Sequence, residues 1–508
     1  MRYPPGPRGI PLLGNALQLP TVKPWHTLAK WKRDYGPMVY LNMAGQPMVI
    51  LNTRKAVEDL FNQRTSKYSA RPHYIVANII TGGFSFVLMS GGERWRKMRR
   101  ACDNALGLKN AVNYHSIQRN EAVFTAYSLL GEPDNWRSHV ERTSSSVALS
   151  MMYDSPLIQS LQDPSLLWMN RYVENVATTL MPGAFLVEVL PFLQHLPRLL
   201  SKWRRDAEKS FEEYNMHFGK RFQNIKKQVK FDCKVLHRQA SGQEQRPSFS
   251  VSLAENQENS KLSDQECSWL AGQLYAAGSE TTATTMIWFI FCMVLFPDIQ
   301  TRAQEELDKV VGRSRVPSFA DLKHLPYIHA IVKEVLRWRT PLPVGIPHVS
   351  TEDDYYDGYY IPKGTLCLAN VWSLNHDPEI YGPDAEEFRP ERHLDENGQL
   401  KDGLLGLSDG HFTYGFGQRI CVGRHVANNT LFMEAATILW TMRLEGVKDS
   451  DGNVVVPDVN AEEENGVLVR PPPFSITTTP RFRDADTFIK EARDEVVEEN
   501  LARLDARD

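Results

Sequence analysis

Tyr414-Gly415-Phe416-Gly417-Gln418-Arg419-Ile420-Cys421-Val422-Gly423 is a glycine-rich loop that opens directly onto an apolar helical run, Val422 to Trp440. Glycine tolerates positive φ and lets backbone approach a neighbour closely, so Gly415 and Gly417 suit a loop laid against a flat ligand. A sulfur at a helix N-terminus gains from the dipole and from nearby N–H groups, which predicts a lowered thiol pKa and a metal-binding thiolate at Cys421. Arg419 adds a fixed positive charge suited to an acidic substituent at the edge of that ligand. The competing reading is a structural cysteine in a tight turn. Gly415, Gly417, Arg419, Cys421 and Gly423 would co-occur by chance on the order of 10⁻⁴ times in such a chain, which favours the ligand-binding reading.

This loop resembles the haem-binding loop of the cytochrome P450 family, in which the cysteine is the axial ligand to haem iron; the chain looks most like fungal microsomal members. The resemblance implies a mainly α fold with small β-sheets (α+β), a long central helix over haem b, and Cys421 on the iron. One position departs, since Tyr414 stands where the family usually has Phe. Its hydroxyl needs a partner near the sulfur.

Composition fits a large enzyme. The 508 residues can bury a substantial core, and 42% hydrophobic with 23% charged residues is ordinary for a globular protein. A net charge of −3 and the lack of a basic run interleaved with aromatics argue against nucleic-acid binding. Six cysteines without a C-x-x-C pair predict reduced thiols and no zinc cluster. Residues 1–20 begin as a stiff proline-rich hinge, Met1 to Gly9, with no apolar stretch before it, so neither a signal peptide nor a spanning helix is predicted there. In microsomal relatives a similar hinge follows a membrane anchor. The resemblance therefore implies the cytosolic face of the endoplasmic reticulum where an anchor precedes it, and a cytoplasmic or peripheral site otherwise.

Periodicity and punctuation give the organisation. Val39, Leu41 and Met43 alternate before Gly45-Gln46-Pro47, which predicts a hairpin closing with Met48 to Leu51. Helices are expected from Ser263 to just before Pro297, from Asp298 to Gly312 and from His324 to Trp338. Short strands are expected at Ile346 to Val349 and Tyr359 to Leu368, with turns at Asp357-Gly358 and Lys363-Gly364. Residues 239–263 read as a polar loop and 481–508 as a charged, solvated helix; no second domain is evident, so 1–508 is expected to be one domain.

Four further constellations stand in the order the resemblance would place them. Trp95 and Arg99, four apart on one helical face, can converge on a haem propionate, although a Trp among basic residues is ordinarily a packed rim. Ala277-Gly278-Ser279-Glu280-Thr281-Thr282 interrupts an apolar helix; a mid-helix Thr ordinarily bonds back to the preceding turn, but the resemblance implies an opened helix with Glu280 and Thr281 relaying protons. Glu334 and Arg337, with Arg392, match the family's buried bracing network. Pro341 to Pro347 reads as an extended stretch, which the resemblance implies lines the substrate cavity, and His348 aligns with a position that often holds a propionate in the family or is simply a polar strand end.

The implied activity is insertion of one oxygen atom from dioxygen into a lipophilic substrate: a terpenoid or sterol, a fatty acid or a polycyclic aromatic. No G-x-G-x-x-G follows a strand, so electrons must come from a separate NADPH-cytochrome P450 reductase, with cytochrome b5 as a second donor, and Arg96, Lys97 and Arg100 form the expected docking patch. A haem-thiolate isomerase or dehydratase acting on hydroperoxides would not need Glu280 and Thr281, and a haem sensor would not need an apolar cavity. Tyr74 to Leu88, Met181 to Leu199, Leu342 to Ile346 and Phe474 to Thr477 are the expected cavity walls, and Phe185 to Leu200 is an apolar segment able to press on a membrane surface.

Overall fold

A computed structural model describes residues 2–181, 183–236, 248–401, 403 and 409–505. The central helix, Asp264–Leu295, starts where Ser263 caps it. The Ser263 hydroxyl accepts the Glu266 N–H at 3.2 Å and the Glu266 carboxylate accepts the Ser263 N–H at 2.8 Å. The helix stops before Pro297, which lacks the N–H needed to continue it and begins the next helix, Pro297–Val310. Between these stops it is apolar on nearly every side, with Trp269, Trp288 and Phe289 fully buried. Its most apolar 18-residue window is hydrophobic enough to cross a bilayer, yet 78% of that window is covered by protein, so it is a core helix. The helices Trp136–Tyr153, Lys202–Leu236 and Arg424–Thr441 pack along it.

The sheets are small. β1 (Met38–Met43) and β2 (Gln46–Leu51) form an antiparallel hairpin; the turn is Ala44-Gly45, both at positive φ, one residue earlier than the sequence suggested. β2 continues in parallel with β6 (Leu366–Ala369), which pairs with β3 (His348–Val349) in a four-stranded sheet ordered β1-β2-β6-β3. β4 (Asp354–Tyr356) pairs with β5 (Tyr359–Ile361), and the turn at Lys363-Gly364 separates β5 from β6, as expected for this region. β7 (Met442–Gly446) pairs with β10 (Ile476–Pro480), and β8 (Glu463–Asn465) with β9 (Leu468–Arg470). The proline-rich start is docked: the Arg2 carbonyl accepts from Tyr360 and the Pro5 carbonyl from Tyr40.

Two expectations need correction. Within the polar stretch 239–263, Phe249–Glu255 is a helix capped by Ser248, with Phe249, Val251 and Leu253 buried; serine supplies the cap and three apolar side chains supply the packing. Residues 239–247 lie outside the described ones, as do 506–508. The charged tail is not solvated all round: in Ala485–Asp505 the residues Ala485, Ile489, Ala492 and Val496 form a buried stripe, and the helix packs against His115–Gly131.

Candidate functional site

The cysteine loop is closed by its own backbone. The Cys421 N–H donates to the Tyr414 carbonyl at 2.8 Å and Gly415 N to Phe412 at 3.0 Å. Gly417, at φ 53°, is required for a different reason than expected: a side chain there would run into the Phe61 carbonyl, so this glycine serves loop packing and not ligand approach. Gly415, at φ 77°, has open space beside it, and so has Gly423. The Tyr414 hydroxyl donates to Asn428 Oδ1 at 2.5 Å, and Asn428 Nδ2 donates to Asp409 at 3.2 Å, which turns the hydroxyl toward the following helix. That helix runs Arg424–Thr441, so Cys421 precedes its first turn. Contrary to the dipole expectation, burial pushes the Cys421 thiol up, and the Gly423 N–H, Arg424 and Arg99 offset this only in part. Burial was invisible in the sequence; a coordinated metal ion would replace the proton outright.

Around the loop lies a cluster of buried donors with few anions. Arg419 donates from Nε to the Ser69 carbonyl at 2.9 Å and from Nη2 to Met89 at 2.8 Å, and its guanidinium sits 4.1 Å over the Trp95 ring. Trp95 stacks on Phe86, and its buried indole N–H has no hydrogen-bond partner among the described residues. Arg99 points elsewhere than anticipated: Nη1 donates to the Gln418 and Ile420 carbonyls at 3.0 and 2.8 Å while Nε pairs with Asp103, so it clasps the cysteine loop. His348 is buried, stacked on Phe61 at 4.0 Å, with Nδ1 2.6 Å from the Tyr68 carbonyl. Burial, with Arg71 and Arg419 nearby, holds it well below the usual imidazole range. Arg71, which sequence reading missed, donates to the Val87, Ile346 and Pro347 carbonyls. Burial and Arg419 lower its pKa to about 9, and burial and Arg99 lower that of Arg419 to about 10. The buried Arg71 and half-buried Arg419 guanidiniums, solvated by carbonyls among the described residues, are poised for an anion. The one local clue was Ala70-Arg71-Pro72, an extended stretch with no periodic signal.

On the central helix, Ala277 and Gly278 are exposed between half-buried Ala276 and buried Ser279. The helical ladder is unbroken here, not opened as anticipated. Ser279, Thr281 and Thr285 bond back to the carbonyls of Ala276, Ala277 and Thr281 at 3.3, 2.7 and 2.9 Å, which satisfies the polar interval locally. Burial raises the Glu280 carboxyl, with Arg470 opposing and Glu174 and Glu141 adding to it. The segment Tyr74 to Leu88 is pinned one turn away, where Gln273 accepts from Phe86 N at 2.6 Å and donates to the Phe84 carbonyl at 3.1 Å. Phe474 lies farther along, half-buried against Trp136 and Phe291, and Ile476 is buried in β10, while Ser475 and Thr477 are exposed.

The sequence pattern of the family described as Cytochrome P450 matches residues 4–478. A cytochrome P450 monooxygenase of Armillaria gallica is 48% identical over 97% of the chain and 92% of its own length. Cytochrome P450 monooxygenase 58 of Postia placenta is 42% identical over 96% and 90%, and cytochrome P450 monooxygenase iboC of Amanita muscaria 36% over 97% and 93%. The chain belongs to the cytochrome P450 family. It is an oxygen-incorporating oxidoreductase with the α+β P450 fold, and the family carries a haem-thiolate cofactor.

The residues of this P450 fit such a cofactor: a cysteine on a glycine loop and, among the described residues, an unpartnered buried indole N–H and two guanidiniums, Arg71 and Arg419, without a carboxylate partner. The loop is braced from beneath. Glu334, in the helix Pro326–Trp338, accepts from Arg337 at 2.7 and 2.8 Å and from Arg392 at 2.9 Å, and lies 2.9 Å from His393. Although burial pushes its carboxyl up, Arg337 and His393 hold it well below the usual range. Arg337 also donates to the Asn375 carbonyl at 2.7 Å; the Asn375 side chain accepts from Phe412 N at 2.8 Å and donates to Thr413 at 3.1 Å, reaching the loop itself. Sequence reading anticipated Glu334, Arg337 and Arg392 but missed His393, signalled only by its adjacency to Arg392, and Asn375, which carries no local signal.

Proposed function

We propose that this P450 binds haem b through Cys421 and hydroxylates a lipophilic substrate, a terpenoid or sterol, a fatty acid or a polycyclic aromatic. The carrying observation is the cluster of Arg71, Arg419 and the unpartnered Trp95 N–H beside the Cys421 loop, because it supplies charge and donors for two propionates, with neither arginine paired to a carboxylate among the described residues. When bound, the haem supplies dioxygen activation, favoured by the electron-rich sulfur. The protein's own part is positioning. Thr281 and Glu280 hold and pass protons on the face of the central helix marked by Ala277 and Gly278, and the apolar segment around Phe84 and Phe86 excludes water.

Electrons come from an NADPH-cytochrome P450 reductase, with cytochrome b5 as an accessory donor. Support comes from the helix Glu93–Leu106, where Arg96 and Arg100 are exposed and Arg99 on the same helix touches the cysteine loop, so a docked acidic partner would sit close to the sulfur. Exposed Leu186, Val189, Phe192, Leu199 and Leu200 support contact of this segment with a membrane surface, at the cytosolic face of the endoplasmic reticulum.

The test is a reduced carbon monoxide difference spectrum of the purified protein and of Cys421→Ala, followed by a spectral-shift screen of lipophilic compounds. A thiolate-type band lost in the variant supports the assignment; a band like that of an imidazole-ligated globin removes it. Reversing Arg96 and Arg100 to Glu should slow first-electron transfer at low ionic strength, and unchanged kinetics would reject the patch.

A further inference from the structure

Cys421 is fastened at both ends of its own backbone unit by one closed circuit that runs through Tyr414. The Cys421 N–H donates to the Tyr414 carbonyl at 2.8 Å, which sets the two residues side by side. From Tyr414 the side chains lead away and return. The Tyr414 hydroxyl donates to Asn428 Oδ1 at 2.5 Å, and Asn428 Nδ2 donates to Asp409 Oδ1 at 3.2 Å. The other oxygen of Asp409 lies 4.0 Å from Arg424 Nε, and Arg424 Nη1 donates to the Cys421 carbonyl at 3.2 Å. The N–H of Cys421 is thus held through Tyr414 and its carbonyl through Arg424.

The surroundings stiffen this circuit. Arg424 and Asn428 are four apart in Arg424–Thr441, so one face of that helix carries both. Asp409 is anchored in turn, because Lys333 Nζ donates to its backbone carbonyl at 3.0 Å. Lys333 precedes Glu334 in Pro326–Trp338, so the helix that braces the loop from beneath also holds the circuit from the side. Water competes only in part: the Asp409 and Arg424 side chains are 17% and 25% exposed, and Tyr414 and Asn428 are half-buried. A phenylalanine at 414 would leave the circuit open, since its ring has no hydroxyl to donate.

We propose that Tyr414, Asn428 and Asp409 are positioning residues for Cys421, a hydrogen-bonded clasp that keeps the sulfur aligned with its metal. This rests on reading Cys421 as the haem ligand. The clasp limits how far the loop can swing from the start of Arg424–Thr441, and Asn428 is its hinge pin, accepting from the loop and donating to Asp409. Removing the Tyr414 hydroxyl strands the Asn428 oxygen, and removing Asn428 strands the hydroxyl. Either change opens the same circuit, so the two effects should not add.

The experiment follows the ferrous carbonyl complex of the haem-loaded full chain in mild urea, at concentrations where far-ultraviolet circular dichroism stays native. The quantity timed is conversion of the thiolate-type band to the thiol-type band, which a change in packing alone, with the sulfur held in place, would not move. Tyr414→Phe and Asn428→Leu should each speed conversion about three- to tenfold, as expected for one hydrogen bond. The double variant should convert no faster than the faster single one. Parental conversion in Tyr414→Phe, or effects that multiply in the double variant, would overturn the proposal. Should Asn428→Leu fail to fold, Tyr414→Phe decides alone, since it removes one oxygen and keeps the ring. A parent protein without a thiolate-type band would sink the haem-ligand reading separately.

Discussion

Glu434 carries a pH dependence that can be worked out from its surroundings. It lies in Arg424–Thr441, the helix that follows the cysteine loop, is fully buried, and has no hydrogen-bond partner for either carboxylate oxygen among the described residues. The charges it faces are Glu121 and Arg142, and these two are already paired at 3.0 Å, with Ser146 also bonded to Glu121. Burial and Glu121 raise the Glu434 carboxyl from 4.5 to about 8, with Arg142 opposing. The folded value lies above the unfolded one, so stability is fully present below the unfolded pKa and is lost as pH rises through the folded one. A difference of about 3.5 units at about 1.36 kcal/mol each gives a loss of about 4 to 5 kcal/mol between pH about 4.5 and 8. Glu434→Gln keeps the shape and removes the titration. Urea unfolding of the holoprotein followed by far-ultraviolet circular dichroism, from pH about 5 to 9, should show parent and variant diverging by that amount across the window, with the variant the more pH-tolerant. Parallel profiles would refute the reasoning, because an offset that does not change with pH reports packing and not ionisation.

Other consequences follow from the loop and its supports. Glu334→Gln leaves Arg337 and Arg392 buried without their carboxylate, at a cost of about 3 to 5 kcal/mol, and should be seen as a low haem-to-protein ratio; full haem retention would contradict the bracing role. Trp95→Phe keeps the stack on Phe86 but loses the indole N–H, so haem titration of the apoprotein should show affinity weakened by about 1 to 3 kcal/mol, and equal affinity would mean the N–H meets no propionate. Gly415→Ala pays only for positive φ, about 1 to 2 kcal/mol, whereas Gly417→Ala also meets the Phe61 carbonyl; thermal melts should rank Gly417→Ala as clearly the less stable.

Local rules made much of this legible. The Ser263 cap and Pro297 stop bounded the central helix, the alternation at Val39 to Met43 located the first hairpin, and the glycine spacing around Cys421 marked the loop, because each depends on residues a few positions apart. Polar composition misled where a few side chains decide burial, as in Phe249–Glu255 and the Ala485–Asp505 stripe.

The sequence by itself determined where the central helix starts and stops and that Cys421 sits on a tight, cation-flanked loop, since capping, proline geometry and glycine φ are near-neighbour physics. Only the tertiary structure decided what those groups face: that burial outweighs the neighbouring N–H and cations at Cys421, that Arg99 clasps the loop, and that Arg71 joins Arg419. Desolvation and charge pairing depend on distances through space, and folding brings together residues that the chain keeps hundreds of positions apart.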